Sequence, residues 1–296
     1  MSHAAIYTLF VKNLISPEAL AAAAVDESAA LAKQERMLRA LGALDSLLVA
    51  LSGGADSAYL SWAAHRVLGK RALAITAVSA SYSSYDRRQS NAFSRSVGLR
   101  HEFIHTFEFD NSKYTANNAD RCYHCKDELF NRLEELARER GFAAIAYGIN
   151  ADDTHDFRPG HRAAYEHKAL APLLEARLTK GEIRFLSRMA KLPTWDRPAS
   201  ACLSSRVPYG TPVTPGLLRQ IERAESALRR LGFRQFRVRA HGPLASVELA
   251  GDELARGASP QMSREISTVV RQAGFTAVRL DPQGYRPGSL NATLKK

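Results

Sequence analysis

The sequence predicts an α/β protein: a mostly parallel, doubly wound sheet followed by a smaller C-terminal α+β unit. Three observations carry that reading. Short apolar runs alternate with helical stretches of about twelve residues, the rhythm of right-handed crossovers. A glycine-rich loop joins the first such run to its helix. Beyond Trp195 the rhythm changes, and Pro198, Pro208, Pro212 and Pro215 punctuate the chain.

Taken in order, Ser16-Pro17-Glu18 reads as a helix start, with Ser at the cap and Pro at the first helical position. The Ala-rich stretch that follows stops at Gly42. Ser46 to Leu51 is a strand-length apolar run, and Asp56 to Leu68 is a helix closed by Gly69. Ala72–Val78, His101–Phe107 and Phe142–Tyr147 read as strands, with helices over Asp86–Val97 and Glu128–Arg140. Thr179-Lys180-Gly181-Glu182 has the capping-box pattern and opens a helix that ends before Pro193. In the last third, Thr214-Pro215 opens a helix closed by Gly232. Gln235–Ala240, Ala245–Leu249 and Thr276–Leu280 read as strands, with a helix near Ser263–Gln272. The expected units are 1–197 and 198–296.

Composition narrows the function classes. The chain has 296 residues with 45% hydrophobic side chains, enough for a sizeable core, and its Gly and Pro content excludes collagenous or broadly disordered classes. No apolar run approaches the ~18 residues of a spanning helix. The first residues carry no export-signal pattern, and three cysteines do not make a disulfide scaffold. A soluble, cytoplasmic protein is expected. The net charge of +11, mostly Arg scattered along the chain, suits RNA or an anionic small molecule equally.

Ser52-Gly53-Gly54-Ala55-Asp56-Ser57 is the sharpest motif. Two glycines let the backbone turn tightly and present successive N–H groups to a phosphate, and the following helix adds its free N-terminal donors. Ser52 and Ser57 can donate hydroxyls, and Asp56 can hold Mg²⁺. It is neither a Walker loop nor a dinucleotide fingerprint. S-G-G-x-D-S resembles the loop of the N-type ATP pyrophosphatases, the PP-loop enzymes with a HUP-like sheet. Those enzymes cleave ATP between the α and β phosphates and adenylate an oxygen. Gly148-Ile149-Asn150-Ala151-Asp152-Asp153 resembles a second segment of the same family, which adds Asn150 and Asp153 to the implied ATP site.

Cys122-Tyr123-His124-Cys125 is a C-x-x-C, and Cys202 lies far from it in sequence. Taken alone it is the commonest spacing for two thiolates on one metal or cluster, and it reads also as a redox couple, half a zinc site recruiting Cys202 and a histidine such as His124, or two ordinary thiols. The ordered blocks around them are more specific. They include Arg121 to Lys126, Arg158-Pro159-Gly160, Ala171 to Glu175, Leu178-Thr179-Lys180, Pro193 to Pro198 and Ala201 to Gly210. Arg237-Val238-Arg239, Gly284-Tyr285-Arg286 and Gly288 to Asn291 complete them. Over nearly the whole chain they resemble the LarE-type pyridinium-3,5-biscarboxylic acid mononucleotide sulfurtransferases.

The resemblance implies an ATP- and Mg²⁺-dependent step in nickel-pincer nucleotide synthesis, the source of the lactate racemase cofactor. Each substrate carboxylate is adenylated, then converted to a thiocarboxylate, with AMP and pyrophosphate released. Members with one cysteine surrender that side-chain sulfur. Members with three hold a [4Fe-4S] cluster that carries the sulfide, and the latter style is implied for Cys122, Cys125 and Cys202. Ser205, Arg206, Arg237 and Arg239 are implied substrate contacts, and Glu248 is read either as a metal or arginine partner or as a plain surface residue. Implied partners are the small-molecule nucleotide, a sulfur donor, and the enzymes before and after it; a homo-oligomer is expected, and neither membrane nor nucleic acid is. The rivals are a tRNA-thiolating PP-loop enzyme, a nucleotide-sensing or iron–sulfur scaffold protein, and a zinc-containing ligase.

Overall fold

The computed structural model describes residues 25–155, 159–198 and 201–286. The helix start expected at Ser16 lies outside them. So do Arg158 and the segment from Gly288 to Asn291.

The Ala-rich stretch forms helix α1 (Glu27–Gly42), capped where the Asp26 side chain accepts the Ala29 amide at 3.0 Å. Strand β1 (Leu47–Ala50), helix α2 (Ala55–Leu68) and strand β2 (Ala72–Val78) follow. Next come α3 (Ser84–Ser96), β3 (His101–His105), the short α4 (Ser112–Thr115), the long α5 (Arg121–Arg140) and β4 (Ala144–Tyr147). The sheet order is β3-β2-β1-β4 and every pairing is parallel. Alternate residues of β1 face opposite layers. Leu47 and Val49 pack in the core with α1 and α2, whereas Leu48 and Ala50 pack with Leu129, Phe130 and Leu133 of α5. Burial on both faces is why this strand reads as an unbroken apolar run. The sheet is doubly wound, as expected.

Helices α6 (Pro159–Glu166) and α7 (Pro172–Glu175) were not expected. Gly160 lets α6 lie close on α5, since a Cβ there would meet Lys126 Cγ at 2.9 Å and the Cys122 carbonyl at 3.3 Å. Helix α8 (Lys180–Met189) begins with the expected capping box, Thr179 and Glu182 each bonding the other's backbone.

The C-terminal unit comprises α9 (Pro215–Arg230), β5 (Phe236–His241), β6 (Leu244–Leu249), α10 (Gly251–Ala258), α11 (Pro260–Gln272) and β7 (Ala277–Leu280). Strands β5 and β6 are an antiparallel hairpin, and β7 joins β6 in parallel. Leu218, Ile221, Val238, Val247, Val270 and Phe275 lie in its core. Tyr114 joins that core, with Phe109 and Cys125 packed against it, so the segment carrying the C-x-x-C bridges the two sheets. Among the described residues no helix is long and apolar enough to cross a membrane.

Two element readings need correction. The strand from His101 ends at His105 rather than Phe107, because a 3₁₀ turn over Glu108–Asp110 follows. Helix α5 starts at Arg121, not Glu128. Arg121 to Lys126 is polar with buried members, so it lacks the apolar periodicity that announces a helix. The consequence is functional: Cys122 and Cys125 stand at the helix start.

Candidate functional site

The glycine loop leaves the carboxyl end of β1 and enters α2 through Gly54, while the Gly148 segment leaves the adjacent β4. Helix connections diverge between these two strands, so the crevice lies at the topological switch point, where open α/β sheets bind ligands. Gly53 has φ +83°, a left-handed conformation that glycine adopts without strain. Ser57 Oγ closes the loop, accepting from Ser52 N–H at 3.1 Å and lying 3.0 Å from Ser52 Oγ. Gly148 makes a close approach possible: a Cβ there would sit 2.8 Å from the Ser57 nitrogen. The Tyr82 hydroxyl donates to the Ser52 carbonyl at 3.4 Å and lies 2.5 Å from Ser90 Oγ. Burial pushes its pKa up to about 12, so it remains a donor at neutral pH.

The loop and the β4 segment share polar partners. Lys180 Nζ, at the start of α8, donates to both Asp56 carboxylate oxygens at 2.8 and 2.7 Å. Asn150 Nδ2 donates to Asp56 Oδ2 at 3.3 Å, and Asp153 Oδ2 accepts the Asn150 amide at 3.2 Å. Ser52, Gly53, Gly54, Asp56, Ser57, Asn150 and Asp153 therefore converge. Two residues that sequence reading passed over join them: Lys180, and Arg197, which donates to the Gly53 carbonyl at 2.7 Å and to Asp86 Oδ1 at 2.8 Å. Both lie in blocks singled out above, so the signal was their position in those blocks rather than any spacing.

The cysteines are stitched together by backbone and side-chain bonds. Arg121 is buried; its guanidinium donates to the Ser204 carbonyl at 2.8 Å and to Asn117 Oδ1, and lies 3.9 Å from Cys122 Sγ. Asn117 donates to the carbonyls of Pro208 and Thr211, both at 2.8 Å. Tyr114 Oη lies 2.7 Å from Ser204 Oγ, and the Leu203 amide donates to the Ser81 carbonyl at 2.9 Å. These contacts bring Cys202, which is exposed, to the start of α5 with its half-buried Cys122 and Cys125. The Cys125 thiol has its pKa pushed up by burial, then by the nearby Glu108 carboxylate. His124 faces Asp120 at 3.2 Å.

The arginines named from sequence lie beside the Cys202 segment. Arg206 is buried and forms a two-pronged pair with Glu225 of α9 at 2.8 and 3.0 Å. It also donates to the carbonyls of Ala201 and Cys202 and to Ser205 Oγ. Arg239 forks onto Glu248 at 3.0 and 3.1 Å and donates to the Ser205 carbonyl at 2.7 Å. Glu248 is thus an arginine partner and buried, which a surface reading would not give. Arg237 shares the Arg239 face and lies over the Tyr285 ring, its centroid 5.0 Å from the guanidinium carbon. Desolvation, then the nearby Arg206, lowers its pKa. Glu225 escaped sequence reading because a lone Glu on an amphipathic helix looks like a solvated one.

Comparison with known proteins places the chain. It is 33% identical over 266 residues to the pyridinium-3,5-bisthiocarboxylic acid mononucleotide synthase of Lactiplantibacillus plantarum, covering 89% of this chain and 95% of that protein. The chain belongs to this synthase family. An uncharacterized Synechocystis protein is 41% identical over 264 residues, covering 89% of this chain and 98% of its own. Another from Methanocaldococcus jannaschii is 26% identical over 240 residues, 81% of this chain and 90% of its own. No protein-family profile matches.

Proposed function

We propose that the protein is an ATP-dependent sulfurtransferase acting on pyridinium-3,5-biscarboxylic acid mononucleotide. The carrying observation is that a phosphate-type loop and three cysteines are bonded into one framework, in a relative of a bisthiocarboxylic acid mononucleotide synthase. The proposed functional division runs between residues 197 and 198, with the cysteine pair on one side and Cys202 on the other.

In this reading the Gly53-Gly54 N–H groups and the α2 N-terminus hold the ATP phosphates. Asp56 would hold Mg²⁺, which would supply charge to neutralise the phosphates, and Lys180, which pairs with that carboxylate, is the cation beside the loop. Ser52 and Ser57 supply hydroxyls; Asn150 and Asp153 orient Asp56 and its neighbours. A substrate carboxylate oxygen attacks the α-phosphorus and pyrophosphate leaves, giving an acyl adenylate. Sulfide sulfur then attacks the acyl carbon, a C–S bond forms, the C–O bond to the adenylate breaks, and AMP leaves with that oxygen and the bonding electron pair. Arg237 and Ser205 face the substrate, while Arg206, Arg239 and Glu248 hold the Cys202 segment in place through their forked pairs.

The donor set suits an iron–sulfur group: Cys122 and Cys125 lie at the start of α5, Arg121 and Tyr114 bond Ser204 two residues beyond Cys202, and the imidazole nearest in sequence, His124, is directed to Asp120. Among the described residues no three His, Cys, Asp or Glu side chains are grouped for a single metal ion. Cys122, Cys125 and Cys202 would hold a [4Fe-4S] cluster, which when bound supplies an open iron for a transferable sulfide.

The test is anaerobic incubation of the reconstituted protein with Mg-ATP, sulfide and the biscarboxylated nucleotide. Repeated thiocarboxylate formation with AMP and pyrophosphate, lost in each Cys→Ala variant, is expected. One turnover with Cys202 lighter by about 34 Da, the mass of H₂S lost from a thiol, would replace the recycling reading by a sacrificial one. No AMP and no product would overturn the assignment.

A further inference from the structure

Arg197 ties the glycine loop to α3. Its guanidinium is largely buried and two-pronged: one nitrogen donates to the Gly53 carbonyl at 2.7 Å, the other to Asp86 Oδ1 at 2.8 Å. In a trans peptide the carbonyl and the next N–H point in opposite directions. Drawing the Gly53 carbonyl toward Arg197 therefore turns the Gly54 N–H the other way. Arg197 is itself held, its amide donating to the Thr194 carbonyl at 3.2 Å and its carbonyl accepting from Arg184 at 3.4 Å. The Leu203 amide, next to Cys202, is fixed on Ser81, which neighbours the Tyr82 that bonds Ser52, and Asp86 lines one cavity with Leu203 and Arg206.

We infer that Arg197 is a positioning residue that couples nucleotide occupancy of the glycine loop to the Cys202 segment. The inference rests on the reading of that loop as the ATP site. An incoming phosphate needs the Gly54 N–H aimed at it, and Arg197 sets that peptide. A change in the peptide is passed through the guanidinium to Asp86, which lines one cavity with Leu203 and with the Arg206 that bonds the Cys202 carbonyl. Coupling of this kind is reciprocal: if nucleotide orders the segment, unhooking the segment weakens nucleotide binding by the same factor. A lysine at this position keeps the charge but reaches only one partner at a time.

The test uses the full chain with Mg²⁺ and a non-hydrolysable ATP analogue. It follows analogue affinity by calorimetry and hydrogen exchange of the peptide spanning residues 201–207. In the wild type, the analogue is expected to slow exchange in that peptide several-fold. In Arg197→Lys, affinity falls about tenfold and the exchange response disappears; Asp86→Asn, which frees one prong, gives an intermediate result. Thermal unfolding of both variants separates this from loss of fold. Wild-type binding without an exchange response, or Arg197→Lys behaving as wild type, overturns the inference. Absence of binding by the wild type overturns the reading of the loop instead.

Discussion

The close approach at Gly148 allows one substitution to be worked through. In Gly148→Ala the new Cβ would lie 2.8 Å from the Ser57 nitrogen, 2.9 Å from its Cα and 3.1 Å from the Asp56 carbonyl carbon. All three are backbone atoms, so no side chain can swing away. Ordinary contact begins near 3.4 Å, and relief requires the first turn of α2 and the end of β4 to part by about 0.6 Å, an overpacking strain of about 1–3 kcal/mol. Tm should fall by about 2–4 °C for each kcal/mol. The displacement also moves the donors of the loop, and one weakened hydrogen bond of about 1 kcal/mol corresponds to a loss of nucleotide affinity of roughly fivefold. Gly216→Ala is the control: its Cβ would meet nothing closer than Thr214 Oγ1 at 3.9 Å, and the change should be neutral or stabilising by about 0.4–1 kcal/mol. Differential scanning calorimetry and titration with Mg-ATP read both effects. Wild-type Tm and wild-type affinity in Gly148→Ala would refute the argument that the loop is braced against β4.

Lys180→Met removes the cation that engages both Asp56 oxygens; ATP–pyrophosphate exchange should drop about 10²–10³-fold, whereas an unchanged rate would remove Lys180 from the phosphate site. Glu225→Gln leaves the Arg206 guanidinium buried without its countercharge. Urea unfolding should show a loss of about 3–5 kcal/mol, and a loss under 1 kcal/mol would show that the loop carbonyls suffice. His167 sits between Asp127 at 3.0 Å and Glu134 at 2.8 Å. Burial lowers its pKa, but the hydrogen bonds the ring donates to Asp127 and Glu134 outweigh burial and raise it. Its stabilisation is therefore complete below the ordinary pKa near 6.5 and lost as pH rises through the folded value. The stability gap between wild type and His167→Gln should shrink from pH 6 to pH 9, and a constant gap would contradict a charged His167.

What could be read from the sequence depended on whether a feature is local. The glycine loop between β1 and α2 was legible because glycine, serine and strand–loop–helix context all lie within a few residues. The parallel sheet was legible from apolar runs such as Leu47–Ala50, which both faces of the sheet bury. The start of α5 was hidden, since its buried Arg121 and His124 carry no hydrophobic signal. Partners remote in sequence were hidden as well: nothing near Arg206 announces Glu225, and nothing near Asp56 announces Lys180. The residue types at these positions were informative, but their pairing is a property of the assembled fold.

The basic surplus acquires a different meaning once those partners are visible. Arg121, Arg206 and Arg239 are only 2%, 4% and 9% exposed, so they add nothing to a cationic surface that could attract nucleic acid. Each carries its charge inward and ties a remote segment to residues 201–206. Arg121 reaches Ser204 from the start of α5, Arg206 anchors Ala201 and Cys202 to α9, and Arg239 holds Ser205 to the β5–β6 hairpin. A segment of this kind has no regular backbone ladder to fix it, and its carbonyls need donors. Guanidinium groups, with five donors in a rigid fork, satisfy several carbonyls and a carboxylate at once, which a single ammonium cannot do with the same geometry. Much of the arginine content in this region is thus explained by the need to hold Cys202 exposed at its tip while everything behind it is fixed.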